Sequence, residues 1–207
     1  MLFRSPNAQQ STIAAAVVAP PRVNPQDLPI QAMTTTLGGA FTSRLNMNLR
    51  EDKHWAYGAF AFDVTRRGPS MFTALAPVQT DKTAESFGEV KKELDEIIAG
   101  KPITPAELAL AQGNMTKSLP GQWETNEGVA GSLEDIAVNG LPDDYYDAYA
   151  QRIGQLTPAD VDRAAKTVVQ PQALTWVVVG DRRKIQPSLE KLGIPIKTID
   201  PDGAPVP

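Results

Sequence analysis

The sequence contains no cysteine and a single histidine, His54, among 207 residues. Without cysteine there can be no disulfide, no thiolate nucleophile and no thiolate metal site. One histidine cannot make a His-x-x-Glu-His helix or its inverse, so the chain has no means of holding a catalytic zinc by itself. Serine–histidine catalysis would also have to use His54, and no Gly-x-Ser-x-Gly elbow accompanies it. His54 reads instead as a partly exposed loop residue between a helix and a strand. Charge of one sign is scarce as well: the net charge is −4 and acids and bases are interspersed, which excludes a phosphate-tracking surface and a nucleic-acid partner. The longest apolar run, Ile13 to Pro21, is too short to cross a bilayer, so no membrane segment is expected, and no signal peptide is visible. Gly38-Gly39 lacks both the spacing and the lysine of a phosphate-binding loop.

A hydrophobic content of 42% is ample for one buried core. Ser11 to Ala19 is β-branched and small, ends in Pro20-Pro21, and predicts a buried strand. Asp27 to Thr36 predicts a helix stopped at Leu37-Gly38-Gly39, and a second helix carries Phe41, Leu45, Met47 and Leu49 into Arg50. Alternation over Trp55 to Phe62 predicts a strand, with Ser70 to Val78 as its antiparallel partner. From Asp81 to Gly100 the pattern is helical, with Phe87, Val90, Leu94, Ile97 and Ile98 on one face. Thr104-Pro105-Ala106-Glu107 and Thr157-Pro158-Ala159-Asp160 each place a threonine cap, a proline and an acid where a helix begins. Further helices are predicted over 126–139 and 142–153, a strand buried on both faces over 174–180, and a terminal helix over 185–192. The fold class is α+β, a layered, mixed or antiparallel sheet with helices packed mainly on one face. Met1-Leu2-Phe3-Arg4-Ser5 reads like a translated adapter, so 1–6 are expected to be artefactual or disordered. Residues 7–199 then form a single domain truncated at its N-terminal edge, and 200–207 a flexible tail.

One constellation stands above this background: Leu37-Gly38-Gly39, Ser43-Arg44-Leu45, Leu49-Arg50-Glu51 and Tyr57-Gly58 in close succession. It resembles the signature of the C-terminal, non-zinc-binding domains of the M16 (pitrilysin/insulinase-like) metallopeptidases. The resemblance extends to Asn7-Ala8-Gln9-Gln10-Ser11, to Leu141-Pro142-Asp143-Asp144-Tyr145-Tyr146 and to Leu156-Thr157-Pro158-Ala159-Asp160-Val161, nearly the whole chain. The departure is at His54-Trp55, where a glycine and an aromatic are commoner. The resemblance implies a metallohydrolase-type domain of the LuxS/MPP kind. It also implies an arginine and a tyrosine seven positions apart, Arg50 and Tyr57, that assist catalysis from across a closed chamber. Arg44, Glu51 and Gly58 are the substrate-binding residues it implies beside them; the alternatives are an ion pair to the sheet or a solvated place for Arg44, and a hold on Arg50 for Glu51. No cofactor is expected on this chain. Zinc is expected on a partner His-x-x-Glu-His domain, in the same parent chain or another subunit, with a peptide as substrate and no activity in the isolated chain. The alternative is a non-proteolytic structural or interaction domain of the same superfamily. The ending Ile199-Asp200-Pro201-Asp202-Gly203 is similar to that of exported bacterial members, which implies the periplasm.

Chemistry makes the pair sensible. A guanidinium offers planar, permanently charged donors to a carbonyl, and a phenol can donate to a developing oxyanion. The competing explanation is purely structural: an arginine at a helix C-terminus stabilises the helix dipole, and a strand tyrosine packs. Asp143, Asp144 and Asp147, beside Tyr145, Tyr146 and Tyr149, read as the acidic first turn of a helix rather than as a cation site. Trp123 sits at a break between helices, where packing is its expected use, and Lys91-Lys92-Glu93 and Arg182-Arg183-Lys184 read as solvated faces.

Overall fold

The computed structural model describes residues 2–4, 7–200 and 202–206. Five strands, β1 (Leu2–Arg4), β2 (Gln10–Ala19), β3 (Phe60–Val64), β4 (Ser70–Gln79) and β5 (Thr175–Gly180), form one mixed sheet in the order β1-β5-β2-β4-β3. β2 and β4 run antiparallel over their whole length, from Gln10 opposite Gln79 to Ala19 opposite Ser70. β5 and β3 flank them antiparallel, and β1 lies parallel to β5. The segment set apart in sequence as 1–6 therefore contributes Leu2–Arg4 to the sheet, while residues 1, 5 and 6 lie outside the described residues. At the other end, Ile199 bridges Pro205 and the Val206 N–H donates to the Thr198 carbonyl (3.1 Å), so the described part of 200–207 folds back on itself.

The period-two alternation of the strands decides where the core sits. Ile13, Ala15 and Val17 of β2 pair with Ala76, Ala74 and Phe72 of β4, and all six are buried on one face. Three helices reach that face: α1 (Asp27–Thr34), α3 (Thr83–Asp95) and α8 (Pro158–Val168). On α3 and its continuation Phe87, Val90, Leu94 and Ile97 are buried, the stripe read from the sequence. The opposite face carries Val18, Phe60, Phe62 and Met71, all exposed. Helices thus pack mainly on one face of an α+β sheet.

α2 (Arg44–Asn46) follows α1, and α4 (Pro105–Lys117), α5 (Leu119–Gln122), α6 (Asn126–Asn139) and α7 (Tyr149–Gly154) lie between α3 and α8, with α9 (Arg182–Glu190) last. Both threonine capping boxes form, Thr104 with Glu107 and Thr157 with Asp160, each with a proline in the first turn. Three expectations change. The strand expected from Trp55 begins only at Phe60, because the Trp55 and Ala56 N–H groups donate to the Leu49 carbonyl (2.9 and 3.2 Å) instead of entering a ladder. The helix expected from Pro142 begins only at Tyr149; before it the N–H groups of Tyr145 and Asp147 close three-residue turns onto Pro142 and Asp144. Phe41, expected on the apolar face of a helix, precedes α2 and is exposed.

Candidate functional site

α1 does not end where its α-helical hydrogen bonds do. It continues as a wide π-helical turn over Thr35–Gly39, which carries Leu37-Gly38-Gly39 against β3. A Cβ on Gly38 would lie 2.0 Å from the Ala61 nitrogen and 2.5 Å from the Phe60 carbonyl carbon, so only glycine lets the two backbones approach this closely. The chain then enters α2, which widens in turn into a π-helical segment, Met47–Asp52, bearing Arg50. Asn46 ties the two ends of this stretch together: its amide donates to the Phe41 carbonyl (2.6 Å) and accepts the Ala59 N–H (3.3 Å). His54, at φ +59°, reverses the chain, and its Nδ1 lies 3.0 Å from the Arg50 carbonyl oxygen. Ala56 then bridges Val78 at the end of β4.

This folding brings Arg50 and Tyr57 onto one rim. The Arg50 guanidinium carbon is 5.2 Å from the centroid of the Tyr57 ring and 4.5 Å from that of Phe41. The Glu51 carboxylate is 3.3 Å from Arg50 Nε. Tyr57 is 83% exposed and Phe41 60%, while the Arg50 side chain is 31% exposed. Arg50 is thus held from the side by two rings and a carboxylate, with the tyrosine standing out into the open. Phe41 is the member of this group that sequence reasoning missed. Its place just after Leu37-Gly38-Gly39 was visible, but its apolar character pointed to the core.

Arg44 and Gly58 are placed elsewhere. Arg44 is buried, and its guanidinium forks onto Glu107 (2.7 and 2.9 Å) and the carbonyls of Lys101 and Pro102 (2.6 and 3.0 Å). Four donors turned inward leave it a clamp between α2 and the start of α4 rather than a group facing a ligand. Burial alone would raise the Glu107 carboxyl, but the hydrogen bonds from Arg44 and Thr104 outweigh it and hold it at about 2. Gly58 is buried beneath the Phe60 ring, which an added Cβ would meet at 2.8 Å.

A second polar cluster, unforeseen in the sequence, joins α1 to the helices beyond α4. Arg22 bonds Asp27 and also Asp135 (3.0 Å). The Tyr145 hydroxyl donates to Asp27 (2.8 Å), Gln31 donates to Asp27 (3.0 Å), and the Tyr149 hydroxyl donates to Gln31 (3.1 Å). Burial raises the Tyr145 phenol above the ordinary range and Tyr149 to about 12. Nearby, burial pushes Asp63 up to about 6, although Thr34 donates to it (2.6 Å). The tyrosines read as neighbours of a possible cation site are therefore drawn inward, while Asp143, Asp144 and Asp147 stay on the surface. Among the described residues no group of three or more His, Asp or Glu side chains is placed to hold a metal ion. No helix among them is long and apolar enough to cross a membrane.

Comparison with known proteins follows the same lines. A structure of the peptidase M16 inactive domain from Pseudomonas fluorescens superposes with a TM-score of 0.78 at 19% identity, over 86% of this chain and 42% of that one. The inactive peptidase domain of a candidate zinc protease from Bordetella parapertussis gives 0.71 at 19% identity, over 84% and 92%. The periplasmic protease PqqL from Escherichia coli gives 0.69 at 19% identity, over 86% and 20%. At these identities the likeness is one of fold, and the chain spans about two fifths of the Pseudomonas protein's length. No curated protein sequence matches the chain. The family model described as the peptidase M16 inactive domain matches residues 2–115, more than half of the sequence and the whole stretch that builds the Arg50 rim, and the chain belongs to that family.

Proposed function

We propose that this domain is the zinc-free half of a peptidase, which positions a peptide with Arg50 and Tyr57 for hydrolysis at a metal held by another domain. The observation that carries the reading is the rim itself: a guanidinium fixed between Phe41 and Tyr57, beside a tyrosine that is almost wholly exposed. Fixed cationic donors suit a peptide carbonyl, and the phenol can donate to an oxygen on which negative charge develops. Glu51 holds Arg50 in place. The donor set of this chain does not fit zinc, since it has one histidine and no cysteine. The metal is therefore assigned to a His-x-x-Glu-His domain, in the same parent chain or a partner subunit. The candidate zinc protease from Bordetella parapertussis supports that assignment. The periplasm is the proposed location, supported by the periplasmic relative from Escherichia coli.

The test combines this chain with its zinc-bearing half and measures peptide cleavage. Arg50→Ala and Tyr57→Phe should each lower kcat/KM by roughly 10²–10³, the usual cost of one oxyanion donor. Undiminished turnover in both variants would remove the catalytic role of the pair.

A further inference from the structure

α6 is turned the wrong way round for a surface helix. Of its fourteen residues only Ser132 and Asn139 are buried, whereas Val129 is 42% exposed, Leu133 60% and Val138 57%. Positions 129, 133 and 137 follow one another at four-residue spacing, so Val129, Leu133 and Ala137 make one outward stripe, with Ala130 beside it. The orientation is fixed by polar moorings on the inner side. Asp135 receives Arg22 (3.0 Å), Ser132 receives the Trp123 indole N–H (2.8 Å), and Arg67 donates to the Ala137 carbonyl (3.2 Å). Rolling the helix over to bury its apolar stripe would forfeit these bonds and leave Arg22 with Asp27 alone.

Charge says what fits the stripe. Between Lys117 and Arg152 the sequence has seven acids, Glu124, Glu127, Glu134, Asp135, Asp143, Asp144 and Asp147, and no lysine or arginine. All but Asp135 are exposed. On the helix, Glu127 and Glu134 form the row next to the apolar stripe, seven positions apart. Of the nearby cations, Arg22 is paired with Asp27 and Asp135, while Arg67 donates to the Ala137 carbonyl and Arg152 lies over the Tyr145 ring at 5.7 Å, so the acids outnumber the unpaired cations. An exposed apolar patch edged by acid repels a second copy of itself and an anionic membrane, and attracts a basic one.

We infer that the outer face of α6 binds a peptide segment that is both basic and amphipathic, its apolar side on Val129 and Leu133 and its cations against Glu127 and Glu134. The inference does not rest on the catalytic reading of Arg50 and Tyr57, and its test reads binding rather than turnover.

Fluorescence anisotropy of a labelled amphipathic Leu/Lys helix, titrated with this chain, is compared with a Leu/Glu helix of the same pattern and a scrambled Leu/Lys sequence. The Leu/Lys helix should bind at least tenfold more tightly than either, and added salt should weaken it. Val129→Ser with Leu133→Ser should cost at least tenfold, and Glu127→Gln with Glu134→Gln about threefold, with a shallower salt dependence. These side chains are exposed, so circular dichroism and the thermal midpoint should stay near those of the parent. Glu134→Lys, a lone surface change, serves as an independent variant and should weaken binding as well. Equal binding of the Leu/Glu helix, or affinity unchanged in the substituted chains, would overturn the inference. So would self-association in light scattering that Leu133→Ser abolishes, which would give the face to a second copy.

Discussion

An alanine at position 38 would drive its methyl group into the backbone of β3, where no side chain can move aside. Gly38→Ala should therefore lower stability by about 3 kcal/mol, at the upper end of overpacking costs, measurable as a fall in denaturant midpoint at unchanged slope. The neighbouring strain lies at His54, whose φ of +59° suits glycine better than any other residue. His54→Gly should be tolerated to within about 1 kcal/mol and His54→Val should cost more, since a branched side chain resists that conformation. Arg50 and Tyr57 were singled out by the resemblance of their flanks to a family signature, and the structure brings their side chains together. Phe41 was not singled out, because nothing in one sequence distinguishes an aromatic that packs from one that braces a cation.

Among the elements, those that depend on local patterns were readable. The two threonine caps, the apolar stripe of α3 and the antiparallel pairing of β3 with β4 appear where periodicity and capping chemistry put them. Elements shaped by distant partners were not. The turns before α7 face Tyr145 inward to Asp27, and the delayed start of β3 follows from N–H groups spent on Leu49. Arg44 illustrates the same limit: its spacing within the signature was clear, but its partner Glu107 lies 63 positions away. Asp63 carries the element-scale prediction. Its folded value of about 6 stands above the ordinary 3.8, so burial disfavours its charge and stability is lost as pH rises from about 4 through 6. Asp63→Asn should remove that loss, flattening the pH profile in this window and raising stability at neutral pH by up to about 3 kcal/mol, with the Thr34 hydrogen bond retained. Urea unfolding of both proteins from pH 4 to 8 measures the difference.

For the whole molecule, an inventory of donor atoms says more than any single motif. A chain with one histidine and no cysteine cannot build a tight zinc centre. After dialysis it should hold no stoichiometric zinc, and metal analysis finding one tightly bound ion per chain would contradict this. The overall architecture was legible because a one-sided sheet needs only alternating strands and helices with a single apolar stripe. What could not be read was the orientation of α6, whose outward apolar stripe looks in sequence like an ordinary buried one, since Arg22 and Asp135 lie 113 positions apart. The single histidine has a practical consequence. Its ring nitrogen touches the Arg50 carbonyl at the turn leading to Tyr57. The imidazole proton and nitrogen resonances of this protein therefore form a one-residue spectrum, and an NMR titration with added peptide could follow that turn without selective labelling.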